Sequence, residues 1–181
     1  MLNKLTFSRR LKTFWANWGG LFIATILVII AFVFLGIYLY SSSRVNNTLA
    51  WVTQDITLAA IGQTKQIEDP PSAVYHFILL VNNPTVDSAT VTISDIKVNL
   101  DEFELVATPY GSWEKSSVSN GKTSYEGEFT LTAETLNTFI ERETVHITVT
   151  GTINARCQYW TIERESERPI NIATTIGLNN G

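Results

Sequence analysis

The sequence predicts a mainly β protein: an antiparallel β-sandwich of fibronectin-III or immunoglobulin type with one short helix, preceded by a single N-terminal transmembrane helix. Three observations carry this. Residues Leu21–Tyr40 contain no charge. Beyond them, apolar residues recur with period 2 in short segments bounded by turn residues, the mark of half-buried strands. One segment alone, Thr132–Arg142, switches to helical spacing.

The apolar run LFIATILVIIAFVFLGIYLY is about 30 Å long as a helix, the thickness of a bilayer's hydrocarbon core. Trp15 and Trp18 precede it, and Tyr38 and Tyr40 close it, so amphipathic rings fall at both membrane interfaces. Lys4, Arg9, Arg10 and Lys12 lie on the N-terminal side, with Arg44 alone just after the run. This bias predicts a cytoplasmic N-terminus and a C-terminal domain outside. A cleaved signal peptide is the rival reading, but the run exceeds the usual apolar core, and YLYSSS is a poor cleavage site. A buried core helix would need a polar face, which this run lacks.

The expected organisation is a basic N-terminus at 1–20, the transmembrane helix at 21–40, a linker at 41–55 that starts SSSRVNN, and the sandwich at 56–181. Asn46-Asn47-Thr48 forms a glycosylation sequon, outside on this topology. The formal charge is −4 overall, but the first 20 residues carry +4, leaving −8 for the rest. An acidic domain is unsuited to nucleic acid, whose phosphates call for a basic surface. The lone Cys157 cannot form an intramolecular disulfide and reads as a small core residue.

Ala73–Val81 is apolar on both parities, as in a central strand covered on both sides. Val145, Ile147, Val149, Ile153, Ala155 and Cys157 alternate with polar residues, so this strand has one face to the core and one to water. Tyr125, Phe129 and Leu131 do the same. Between Thr90 and Leu105 the parity shifts twice. A bulge or turn at Ser94-Asp95 and a tight reversal at Asp101-Glu102 would restore one face. Asn120-Gly121 suits a hairpin turn, since both residues tolerate positive φ. Leu136, Phe139 and Ile140 share one helical face with Thr132 as cap, predicting a short helix across one end of the sandwich.

Reactive constellations are absent from the sequence pattern. His76 and His146 stand far apart, with no HxH, HExxH, Cys-x-x-Cys, GxSxG or glycine-rich phosphate loop. No catalytic residue, metal site or cofactor is expected. The turn Asp101-Glu102-Phe103-Glu104 offers oxygen ligands but lacks the spacing and glycine of a calcium loop. Glu163, Glu165 and Glu167 interleave with Arg164 and Arg168, as in an exposed strand with cross-strand pairs. Tyr110 and Trp113 lie in a loop and form a candidate binding surface.

A strand ending in Val81-Asn82-Asn83-Pro84, two hairpin strands over Val91–Ala107, a strand running into a helix over Tyr125–Ile140, and a strand bearing Gly151 together resemble the LEA-2/WHy family of atypical late embryogenesis abundant proteins. The match spans roughly Ile56 to Ile172. The resemblance implies a fibronectin-III-like sandwich without an active site, and roles in stress protection or in interactions at membranes and cell surfaces. The chain departs from the family in its insertion at Pro109–Ser124 and in having Asp101-Glu102 where a glycine is usual. The expected function is therefore a non-enzymatic, membrane-tethered module facing outward. The alternative is an accessory subunit of a larger membrane or envelope complex. The expected partners are the lipid bilayer and an unidentified protein.

Overall fold

A computed structural model describes the backbone of residues 2–69, 71–101, 103–140 and 144–177. Helix α1 spans Leu2–Gln54 and α2 spans Ala133–Ile140. The strands are β1 (Ile56–Glu68), β2 (Pro71–Asn83), β3 (Thr90–Leu100), β4 (Phe103–Val106), β5 (Thr108–Pro109), β6 (Glu114–Ser116), β7 (Gly121–Leu131), β8 (Thr144–Tyr159) and β9 (Ile162–Gly177). The chain divides into two compact units, residues 1–43 and 44–181.

The first unit is helical, and it contains a stretch long and apolar enough to cross a membrane. Its large side chains, among them Ile23, Leu27, Phe32 and Phe34, are exposed, as suits a helix whose solvent is hydrocarbon. Trp15, Trp18, Tyr38 and Tyr40 are exposed at its borders. The Trp15 ring lies where a Cβ on Gly19 would stand, 2.7 Å from that point, and meets Phe22 edge-on at 6.1 Å. The side chains of Lys4, Arg9 and Arg10, on which the charge bias rests, lie outside the described residues.

The second unit is the predicted β-sandwich. One sheet has the order β1-β2-β7-β5 and the other β4-β3-β8-β9, with β6 also pairing with β3; every pair is antiparallel. A single apolar core fills the space between them, built from Phe77, Leu79, Val91, Val98, Tyr125, Phe129, Ile147 and Ile153 among others. The period-2 segments fall as expected: in β8 the apolar parity is buried and the Thr parity is not. Both parity shifts are real. β3 breaks register against β8 between Ser94 and Lys97, with Asp95 at φ 53°, and Asp101 turns the chain into β4 at φ 50°.

Gly151 sits opposite the bulge. A Cβ there would lie 2.4 Å from Ile96 Cδ1 and 3.0 Å from the Ser94 carbonyl, so any side chain at this position would press on Ile96 and the bulged backbone.

Three expectations need correction. Residues 41–55 are not a linker, because α1 continues to Gln54. No glycine or proline interrupts this stretch, and Val45, Leu49 and Val52 recur at helical spacing and are buried in the sandwich core. The second unit therefore starts at Arg44 rather than at Ile56. Asn120-Gly121 is not a hairpin turn either. It carries the chain from β6 in one sheet to β7 in the other, and only Asn120 takes positive φ. Finally, β2 is central in its sheet but fully buried on one face only: Tyr75, Phe77, Leu79 and Val81 are buried, while His76, Ile78 and Leu80 on the other face are only partly so.

Helix α2 packs against β2 and β7, with the Thr132 carbonyl accepting from the Leu136 amide at 2.8 Å as its cap. The side chains of Phe139 and Ile140, and all of Arg142, lie outside the described residues.

Candidate functional site: the junction of helix and sandwich

The most elaborate polar cluster of the second unit lies where the last three turns of α1 meet the ends of β2 and β8. Arg44 forms a two-pronged ion pair with Asp87, Nε to Oδ2 at 2.8 Å and Nη2 to Oδ1 at 2.7 Å. Its Nη1 donates to the Tyr159 hydroxyl at 3.1 Å, and its guanidinium lies 4.4 Å from that ring's centroid. This fork geometry belongs to arginine and could not be copied by lysine. One turn on, the Thr48 and Thr85 hydroxyls meet at 2.9 Å. At the helix end Asp55 Oδ2 accepts from Asn82 Nδ2 at 2.7 Å, and its carbonyl accepts the Asn82 amide.

The Asn82-Asn83-Pro84 motif organises this junction. Asn83 is fully buried. Its Oδ1 accepts from the Thr85 amide at 3.1 Å and the Thr85 hydroxyl at 2.7 Å, closing a turn on itself. Its Nδ2 donates to the Asp87 carbonyl and to Ser117 Oγ. Ser117 Oγ in turn accepts from the Ala89 amide at 2.9 Å. Pro84, exposed, ends β2 by removing an amide donor. Asn82 therefore holds the end of α1, and Asn83 shapes the loop that presents Thr85 and Asp87 to it.

Cys157 is buried beside the same cluster, its sulfur 3.5 Å from the Ser88 carbonyl. Burial pushes its thiol pKa up, and the Asp87 carboxylate pushes the same way, against the opposite pull of Thr48 and Arg44. A thiol so placed is held in its unreactive form. The histidines lie elsewhere. His76 Nε2 is 3.4 Å from Glu126 Oε2, and His146 Nδ1 is 3.0 Å from Thr175 Oγ1. Neither histidine is among the groups that act on the thiol.

The other sequence-derived candidates are scattered. Trp113 is half-buried; its indole donates to the Glu126 carbonyl at 2.6 Å, and with Phe77 its ring fills the space a side chain at Gly127 would take, so it packs rather than projects. Tyr110 is exposed and meets His76 edge-on at 5.7 Å. In the acidic turn, Glu104 is paired with Lys97 at 2.8 Å, and Glu102 lies outside the described residues. Among the described residues, no three His, Cys, Asp or Glu side chains converge as a metal site would require. The cross-strand pairs expected of the Glu/Arg strand are present: Arg156 bonds Glu163 and lies 3.8 Å from Glu165. Arg156 and Glu163 border a polar groove of about 400 Å³ between β3, β6 and the β8–β9 hairpin.

Asn46 stands on a helix, not in an extended segment; its Oδ1 accepts from Arg164 Nη1 at 2.6 Å, and Thr48 of the sequon is buried. The sequence reading overlooked the junction itself. Its signal was the spacing of Val45, Leu49 and Val52, hidden under the polar tripeptides around them.

No family model matches the chain, and no curated protein matches it. Among solved structures, the chain is similar to a structural genomics target of the Northeast consortium, SoR45, at 7% identity and TM-score 0.46, covering 71% of this chain and 91% of that one. It is also similar to a protein from Archaeoglobus fulgidus at 13% identity and TM-score 0.35, covering 67% and 99%. A FixG-related protein from Vibrio parahaemolyticus is matched at 9% identity and TM-score 0.28, covering 64% and 94%. Likenesses this distant carry no argument about function.

Proposed function

We propose that this chain is a membrane-tethered β-sandwich, displayed on the far side of the membrane from its basic N-terminus, that works by contact rather than by covalent chemistry. One observation supports the reading above the others. The sandwich takes its first core residue, Val45, from the helix that also holds the apolar span. Five residues of chain join Tyr40 to Val45, at most about 18 Å even when fully extended. A module built this way is suited to acting beside the bilayer, not at a distance from it. The Asn82-Asn83-Pro84 turn and Gly151 agree with a LEA-2/WHy-like module, whose protective or interaction role we carry over as part of the same proposal.

The test is fractionation followed by topology mapping. The chain should stay with membranes through alkaline carbonate extraction, and protease added to intact cells should digest the sandwich. Release by carbonate would overturn the anchor, and protection of the sandwich would overturn the outward orientation. Purification in mild detergent examines the accessory-subunit alternative, which predicts a stoichiometric partner.

A further inference from the structure

Three loop tips cluster around the helix–sandwich junction, and each carries an exposed apolar side chain. Trp160 in the β8–β9 turn is 68% exposed, Val86 in the loop after β2 is 64% exposed, and Val118 before β7 is 55% exposed. Hydrogen bonds tie the three loops together. The Asn120 amide donates to the Thr85 carbonyl, and Arg44 joins Asp87 to Tyr159. Val86 and Trp160 are chain neighbours of these two Arg44 partners.

Trp160 also occupies an unfavourable backbone position. Tyr159 pairs with Ile162, leaving Trp160-Thr161 as a two-residue turn, and Trp160 sits at φ 57°. Glycine is the usual residue in the left-handed position of such a turn, and a bulky residue there is strained. A tryptophan that is both strained and exposed gains little from its own fold. Arg44 follows Tyr40 by four residues, at most about 14 Å of extended chain. Wherever the apolar span ends at a bilayer surface, the loops that hold Arg44 are within reach of that surface.

We propose that Trp160, Val86 and Val118 form a second membrane contact, seated in the headgroup region of the bilayer that holds the apolar helix. Tryptophan favours this layer because its ring is apolar and its N–H can stay hydrated. The contact would fix which end of the sandwich faces the lipid. The inference rests on the membrane-anchored reading.

The experiment uses the full chain in phosphatidylcholine vesicles. Thr161→Cys places a thiol beside Trp160, and Glu68→Cys places one in the β1–β2 hairpin at the opposite end of the sandwich. The parent chain, whose Cys157 is buried, serves as the labelling blank. Each thiol receives an environment-sensitive fluorophore, which is then challenged with aqueous iodide and with nitroxide-bearing lipid. The label at 161 should be quenched severalfold more by the lipid nitroxide than the label at 68, and less by iodide. Adding Trp160→Gly should erase most of that difference while leaving the circular dichroism spectrum unchanged. Equal iodide quenching at both sites, with the chain still in the vesicles, overturns the contact and spares the anchor. A chain that does not stay with vesicles overturns the anchor itself. A label at 161 shielded from both quenchers means that a protein, and not lipid, covers the patch, which also overturns the proposal.

Discussion

One helix of this protein has two kinds of surface. Between Leu21 and Tyr40 it is apolar all round, with Phe32 and Phe34 exposed. Between Arg44 and Gln54 one apolar stripe is buried and the rest is mostly polar, with Trp51 exposed. There Val45, Leu49 and Val52 are buried, Thr48 and Arg44 are bonded to the sandwich, and Asn46 and Asn47 face out. The first pattern suits a uniform hydrocarbon solvent, and the second suits a protein core on one side and water on the other. The same secondary structure thus carries two surface patterns, and the change falls at Ser41–Ser43.

The two stretches should respond unequally to truncation. Leu49→Ala should destabilise the sandwich by about 2–5 kcal/mol, the cost of a lost core side chain plus the cavity it leaves. Phe32→Ala should shift the same denaturation midpoint in detergent by less than about 0.5 kcal/mol. Comparable losses from both would break the comparison.

A smaller effect should follow from the polar side of the junction. Asp87→Ala leaves the partly buried Arg44 without its carboxylate and should cost about 1.5–3 kcal/mol, the range for hydrogen bonds to charged groups. The double variant with Arg44→Ala should recover part of that loss, because the stranded charge is then gone. Strict additivity in the cycle would mean that the pair is not coupled.

The thiol beside Thr48 gives a pH-dependent test. Cys157 has a folded pKa above its ordinary 9.0, so the folded state keeps a proton that the unfolded chain has released. Stability from this group is therefore complete below about pH 9 and falls as pH rises from there through the folded pKa. Tyr75 and Tyr125, both raised by burial from an ordinary 10.0, deepen the fall above pH 10. Urea midpoints measured from pH 8 to pH 10.5 should decline, and Cys157→Ala should remove the earliest part of the decline. A flat profile would show that the thiol is not desolvated.

The smallest expected effect is none. In the folded state Asn46 bonds Arg164 on a helix surface and Thr48 is buried, so the sequon is badly presented for modification. Asn46→Gln should leave the mass of the chain, purified from a glycosylating host, unchanged apart from the substitution itself. A carbohydrate-sized loss would mean that this stretch is modified before the helix docks.

Where one residue's chemistry settles its surroundings, the sequence could be read directly. Twenty uncharged positions in a row, nearly all apolar, define a span long enough for a bilayer. Strict alternation in β8 leaves only one face for the core. The parity shift at Ser94-Asp95 forced a bulge, because a slip of one residue would have turned every following side chain outward. The helical docking of 44–54 was harder to see, since SSSRVNN has the composition of a loop, and the spacing of Val45, Leu49 and Val52 matters only beside a sandwich that can receive them. The role of Gly151 was hidden for the same reason: the sequence holds the glycine and the bulge, but not their apposition.

The sequence by itself determined the apolar span, the β class of the remainder and the places where strands bend, all of which follow from local periodicity and charge. Only the tertiary structure decided that the helix belongs in part to the sandwich, that Asn82 holds its end while Asn83 shapes the loop facing it, and that Trp160, Val86 and Val118 gather at one end. These depend on residues tens of positions apart meeting in space, and no local pattern encodes that meeting. Arg44 and Asp87 are ordinary surface charges in the sequence, and they become a paired clamp only when the fold brings them to 2.7 Å.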